Sequence, residues 1–227
     1  MRSPVCVSTW GDSRKYFAAF MQTAKLHGID PQNADASLWP GDSWETVEWF
    51  RKSQAQANYA CANAHRFTHF MFTDSYDVLF AAGWDEILEK YERIGSPIVF
   101  AAECYPWPKP EQATLYPETP NRCKYLNGGF WLGTKDAAIA MLADIATTAA
   151  NRVQCDQGIA VDLFLSKKHP IALDTACSLC FCCNMGSMST LDFSGKRIKA
   201  TDTGEYPCMF HGNANSDLSQ IAAHITR

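Results

Sequence analysis

Two rhythms of apolar and polar positions alternate along the chain. Residues 2–9 set Val5 and Val7 in alternation with smaller residues, which predicts a strand. After a turn at Gly11 and Asp12, residues 13–26 change to helical spacing, with Phe17, Phe20, Met21 and Ala24 on one face. His27 and Gly28 stop that helix in the usual way. Residues 43–65 predict a second helix whose apolar face, Val47, Phe50, Ala57 and Cys61, is interrupted by Gln54. A strand over 67–72, a helix over 84–93 and a strand over 97–102 follow. Residues 103–123 form a loop rich in proline and aromatics, of a length that often carries function. Beyond it the pattern predicts a glycine-interrupted strand at 125–132, helices at 135–148 and 156–165, and short strands at 169–173 and 179–183. A last helix lies near 217–225.

Strand and helix alternate through the first hundred residues, which predicts an α/β fold with a parallel sheet. Such sheets bind ligands outside the carboxyl ends of their strands, and residues 74–77 fall there. No internal repeat divides the chain, so residues 1–227 read as one domain. A hydrophobic content of 47% is that of a globular chain able to bury its own core. The net charge is −4 with no basic run, which weighs against binding nucleic acid through phosphates. No apolar stretch approaches the roughly 20 residues that span a bilayer, and the first residues lack a signal-peptide core. The expectation is a cytoplasmic protein without a membrane partner.

Ten cysteines change the picture further, because Cys177, Cys180, Cys182 and Cys183 crowd into one segment. The spacing of Cys177 and Cys180 suits zinc, although no second ligand pair matches it. Disulfides are another use. The run 178–183 otherwise reads as buried thiols in a core strand.

The strongest local signal is Thr73-Asp74-Ser75-Tyr76-Asp77. Two carboxylates directly after an apolar strand offer a hard divalent cation both oxygen and charge. A helix cap followed by a solvated aspartate is the plainer alternative. His211-Gly212-Asn213 supplies an imidazole, a good metal ligand when neutral, beside a glycine that permits close backbone approach. Asn127-Gly128-Gly129 permits close approach of a sugar or phosphate, or is an ordinary bulge. Asp156-Gln157 places a carboxylate that serves the site or caps a helix.

In this order, residues 72–79, 102–108, 126–133, Asp156-Gln157, Leu173-Asp174 and His211-Gly212-Asn213 resemble the glycosyltransferase domain of procollagen lysyl hydroxylases. Stand-alone relatives of that domain occur in viruses and microbes. The resemblance implies a GT-A fold, a single Rossmann-like domain with a mixed, mostly parallel sheet. It implies a UDP-sugar donor, Mn2+ (or Mg2+), and transfer of glucose or galactose to a hydroxyl. Asp74, Asp77 and His211 correspond to the metal ligands. Thr9, Ser75 and Tyr76 correspond to the nucleoside side, with Trp39 lining the same pocket. Gly212 and Asn213 fall near the diphosphate, Asn127, Gly128 and Gly129 on the sugar side, and Gln157 among the donor-binding residues. Asp156 faces the donor sugar or the acceptor hydroxyl, and Trp107 is an aromatic platform.

The chain departs from that family at three places. Cys155 stands where an acidic residue precedes the aspartate, so Asp156 alone remains for a catalytic carboxylate. A lysine of the family's second helix aligns with Thr46, and another with a position near Asp217. Phosphate binding is therefore expected to rest on the metal and backbone. The hydroxylase domain is absent, so no iron or 2-oxoglutarate chemistry is expected. The acceptor is a protein, a glycan or a hydroxymethylated DNA base. The alternatives are a nucleotide-sugar hydrolase, a nucleotidyltransferase, or an inactive nucleotide- or carbohydrate-binding module.

Overall fold

Strands buried on both faces read as unbroken apolar runs, and residues 70–72 and 98–102 are such runs. In the computed structural model, which describes residues 3–9, 16–34, 47–151, 155–184 and 186–227, they lie within one nine-stranded sheet. Its strands are β1 (Ser3–Ser8), β2 (Gln32–Asn33), β3 (Phe67–Thr73), β4 (Val78–Phe80), β5 (Ile98–Glu103), β6 (Tyr125–Thr134), β7 (Ile171–Asp174) and β8 (Cys180–Cys182), with a last strand at Met209–His211. Between β8 and that last strand, β9 (Leu191–Asp192) and β10 (Lys199–Ala200) form a separate antiparallel pair, so the last strand is β11. The order is β2-β1-β3-β6-β5-β8-β11-β4, with β7 sharing the edge of β5 that β8 continues.

Direction matters more than order. The pairs β1–β2, β1–β3, β5–β7, β5–β8 and β8–β11 are parallel. β6 runs antiparallel between β3 and β5, and β4 is antiparallel to β11. β6 reverses direction twice across its two neighbours, so all strands but β4 and β6 point the same way. The sheet is mixed and mostly parallel, and the carboxyl ends of β1, β3, β5, β8 and β11 share one edge.

Side chains alternate between the faces at period two. Val5, Val7, Phe70, Phe72, Ile98, Phe100 and Trp131 enter one core, beneath α2 (Val47–Asn63) and α4 (Lys135–Asn151) together with α5 (Asp156–Leu165). Cys6, Met71, Val99, Phe130 and Leu132 enter the other, beneath α1 (Phe17–Leu26) and α3 (Trp84–Ile94). A third cluster gathers Leu79, Phe181 and Phe210 beneath the C-terminal helix, Ser219–Ile225. Each fully buried phenylalanine contributes roughly 1.5–3 kcal/mol relative to exposure.

Two predicted helix faces differ from those observed. In α1, Met21 is 36% exposed, and the inward row is Phe20, Thr23 and Ala24. Thr23 turns inward because its hydroxyl accepts from the Phe80 N–H at 3.1 Å. In α2, Cys61 is exposed, while Ser53, Gln56, Ala57 and Ala60 are buried. A purely apolar stripe was the wrong template there, because the inward face of α2 borders the site as well as the core. Strands β4 and β11 are three residues each, too short for periodicity to reveal.

Candidate metal centre

The residues singled out as metal ligands converge at the carboxyl edge of the sheet. Asp74 follows β3, His211 ends β11, and Asp77 precedes β4. His211 Nε2 lies 3.3 Å from an Asp77 carboxylate oxygen and 3.7 Å from an Asp74 oxygen. One ligand atom from each residue falls within 4.8 Å of the other two. Ligands at about 2.0–2.1 Å from an ion stand about 4.2 Å apart when trans, so small side-chain adjustments bring this set onto a cation.

Backbone bonds hold the three segments together. The Asp74 N–H donates to Gly129 O at 2.9 Å, and the Gly212 N–H donates to Asp77 O at 2.7 Å. Ser75 Oγ donates to Thr9 O at 2.8 Å, which ties the acidic turn to the end of β1. Ser8 Oγ donates to Thr73 O at 2.7 Å just beneath it.

Asn127 fixes the imidazole. Its Oδ1 accepts from the Gly129 N–H and lies 3.0 Å from His211 Nδ1, while its Nδ2 donates to Glu103. An oxygen already accepting makes Nδ1 the protonated nitrogen, which leaves Nε2 to face the carboxylates. Burial alone pushes the His211 pKa down; the Asp77 carboxylate outweighs it and holds it well above the usual histidine value. The same carboxylates that favour a proton on Nε2 would favour a divalent cation in its place, and two carboxylates with one neutral imidazole form a donor set that fits Mn2+ or Mg2+.

Lys52 corrects the expectation that the second helix brings no lysine to the site. Its Nζ donates to an Asp74 oxygen at 2.7 Å and lies 3.3 Å from an Asp156 oxygen. Burial works against its charge, but the Asp156 and Asp74 carboxylates more than offset this and keep it an ammonium. For Asp74, burial raises the carboxyl pKa, and Lys52 and then His211 reverse that to a net lowering. Asp156 is the first residue of α5, and the helix is capped by Cys155, whose Sγ accepts from the Gly158 N–H at 3.3 Å. Asp156 is thereby left to face Lys52.

Glu103 was quoted in the resemblance but given no role. It is 3% exposed and accepts from four amides: Asn127 and Gln157 on one oxygen, Asn184 and Asn213 on the other. Burial raises its pKa, and these hydrogen bonds work against that. Gln157 also donates to the Leu126 and Trp107 carbonyls and accepts from the Gly128 N–H. One buried carboxylate thus locks the ends of β5, β6, β8 and β11 and the start of α5 into one frame.

The paired glycines make room for the side chains of Gln157 and His211. A Cβ at Gly129 would stand 2.1 Å from His211 Cε1, and one at Gly128 would stand 3.1 Å from Gln157 Cβ. Beside Gly212 the space is filled by Leu218. Tyr76 is half-buried, its ring 5.9 Å from that of Phe17, and Thr9 and Ser75 are buried at the same end. Trp107 is 44% exposed at the rim. Trp39 and Thr46 lie outside the described residues. Asp217 accepts from the Ser219 N–H at the start of the last helix. The clustered cysteines around β8 are buried free thiols. No helix among the described residues is long and apolar enough to cross a membrane.

Lys52 and Glu103 carried a signal that sequence reasoning missed. Lys52, Ser53 and Gln56 make a polar inward row beside the buried alanines of α2, and Glu103 is a charge ending a fully buried strand.

The mixed, mostly parallel sheet is that of a GT-A-type glycosyltransferase fold. A crystal structure of a glycosyltransferase involved in glycosylation of the major capsid of PBCV-1 superposes with a TM-score of 0.58 at 13% identity, covering 99% of this chain and 100% of that one. The chain belongs to the PLOD GT domain family, whose profile matches residues 38–225. Drosophila melanogaster procollagen-lysine,2-oxoglutarate 5-dioxygenase is 25% identical over 97% of this chain and 33% of its own length. Human multifunctional procollagen lysine hydroxylase and glycosyltransferase LH3 is 41% identical over 28% of this chain and 8% of its own. The chain spans about a third or less of these curated relatives.

Proposed function

We propose that this domain transfers a hexose, glucose or galactose, from a UDP-sugar to a hydroxyl acceptor with Mn2+ or Mg2+. The observation that carries this reading is the Asp74–Asp77–His211 triad at the carboxyl edge of the sheet. A divalent cation there offsets the negative charge that develops on the departing diphosphate. Lys52 adds a second fixed positive charge beside Asp74 and orients Asp156. Thr9, Ser75 and Tyr76 border the nucleoside, and Gly212 and Asn213 the diphosphate. Asn127, Gly128, Gly129 and Gln157 shape the sugar side through the frame around Glu103. Asp156 orients the sugar or assists the acceptor hydroxyl, and the exposed Trp107 offers it an apolar face. The relatives' names favour a protein hydroxyl as acceptor, ahead of a glycan or a hydroxymethylated base.

Titrating UDP calorimetrically with and without manganese tests the donor site. Binding should require manganese, and equal affinity in both conditions would remove the metal from the reading. Lys52→Met should weaken UDP binding roughly tenfold, the loss of one charge-assisted hydrogen bond of about 1.5 kcal/mol. An unchanged affinity would confine Lys52 to its two carboxylates.

A nucleotide-sugar hydrolase is the second reading. Lys52 favours it, because such enzymes often place a further lysine or carboxylate close to the first pair of carboxylates. UDP release at full rate without any acceptor would select it. Lys52 also weakens the inactive-module reading, because it brings a lysine to the acidic turn although both family lysines are replaced.

A further inference from the structure

We infer that Cys104 and Cys123 are a redox pair whose disulfide closes the 104–123 loop at its base. Their sulfurs lie 2.7 Å apart, close to the 2.03–2.05 Å of a covalent bond. They stand at the two feet of the loop. Cys104 follows the last residue of β5 and Cys123 lies two residues before β6. Between the feet the strands already pair, with Glu103 opposite Tyr125 and the Lys124 N–H donating to Glu103 O at 3.2 Å. The pairing holds the backbones in place, so bond formation needs little more than side-chain rotation.

The location gives the bond a consequence. Cys104 adjoins Glu103, the carboxylate that gathers four amides, and the loop presents Trp107 three residues on. Gln157 Nε2 joins both, donating to Glu103 at 2.9 Å and to the Trp107 carbonyl at 2.8 Å. A covalent closure at Cys104 and Cys123 therefore restrains the segment that faces the site. None of this depends on which donor or acceptor the domain uses.

Access is one-sided. Cys104 is half-buried and Cys123 is buried, so an oxidant reaches Cys104 first. With oxidised glutathione, the Cys104 thiolate attacks one sulfur, forms a mixed disulfide and releases one glutathione thiolate. The Cys123 thiolate then attacks the Cys104 sulfur and releases the second. The protein loses two electrons to glutathione disulfide, and the two thiol protons end on the two glutathione products. The hydrogen bond with Cys123, followed by burial, raises the Cys104 pKa, so the exchange is slow and calls for long equilibration.

Cys123 also meets the buried Cys177, which makes a Cys123–Cys177 bond the natural competitor. The test is peptide mapping by mass spectrometry without reduction. The full chain is first equilibrated across a series of reduced and oxidised glutathione ratios, quenched in acid, and alkylated with N-ethylmaleimide in denaturant, which exposes the buried thiols. The expected result is the Cys104 peptide joined to the Cys123 peptide, with Cys177, Cys180, Cys182 and Cys183 alkylated. Hydrogen exchange of residues 105–122 should slow by roughly tenfold or more on oxidation, as local opening is removed. Cys123→Ser should abolish both changes, and the wild-type map decides the matter if that variant fails to fold. Free Cys104 and Cys123 at the most oxidising ratio would overturn the pair, as would a Cys123–Cys177 link. A Cys104–Cys123 link with unchanged exchange would overturn the loop closure.

Discussion

An Asp77→Ala variant is expected to lose metal-dependent donor turnover by about two to three orders of magnitude, the scale on which a preorganised electrostatic group acts. Asp77 is the cleanest of the three ligands to remove. Its side chain is about a third exposed, so truncation opens no buried cavity. Its structural work is done by the backbone carbonyl, which accepts from the Gly212 N–H at 2.7 Å and survives the substitution. Asp74 is less suitable because it also pairs with Lys52, and His211 is less suitable because it is buried among the strands. The melting temperature should therefore stay near wild type while the rate of UDP release loses its response to manganese. A variant with the wild-type manganese response would show that the cation does not rest on Asp77.

The same loss should appear in binding. If manganese-dependent UDP affinity vanishes together with turnover, the cation acts in holding the donor. If affinity persists while turnover falls, Asp77 acts mainly on the charge that develops as the diphosphate leaves.

The legible parts of this chain were those in which one face or one motif decided the outcome. Helix α5 was predicted with the bounds observed, because Asp156 and the following apolar residues leave little choice. The acidic turn was legible because two carboxylates directly after the apolar run of β3 fall where a parallel sheet binds its ligand. What stayed hidden was polar chemistry on buried faces. Lys52 sits in a helix read for its stripe of Val47, Phe50, Ala57 and Cys61, with Gln54 as its interruption, so the inward row of Lys52, Ser53 and Gln56 went unread. Glu103 was placed in the loop, although it is the last residue of β5 and fully enclosed. The direction of β6 was equally invisible. Reversing one strand in the middle of the sheet leaves its alternation unchanged, yet it brings Asn127 and Gly129 to the edge where Asp74 and His211 stand.

That placement makes Gly129 the position where the smallest change should do the most damage. Replacing it with alanine puts a methyl 2.1 Å from His211 Cε1 and 2.7 Å from both ring nitrogens, closer than non-bonded carbon tolerates. Neither partner has room to yield. The Gly129 carbonyl accepts from the Asp74 N–H, and its own N–H donates to Asn127 Oδ1. His211 is 3% exposed, lies between β8 and β4, and has its carbonyl bonded to the Cys183 N–H at 2.8 Å. The ring must rotate away from Asn127, and Nε2 then leaves the two aspartates. Overpacking of this kind costs about 1–3 kcal/mol, or roughly 2–4 °C of melting temperature per kcal/mol in a chain of this size. Metal-dependent turnover should fall by at least about a hundredfold. Gly128→Ala, whose methyl meets Gln157 Cβ at 3.1 Å, should be the milder neighbour. Adding His211→Ala to Gly129→Ala separates the two effects. The double variant should regain part of the lost melting temperature, since the clash is gone, and none of the turnover. A Gly129→Ala protein with normal stability and normal manganese response would mean that His211 is not held where Asn127 and Gly129 place it.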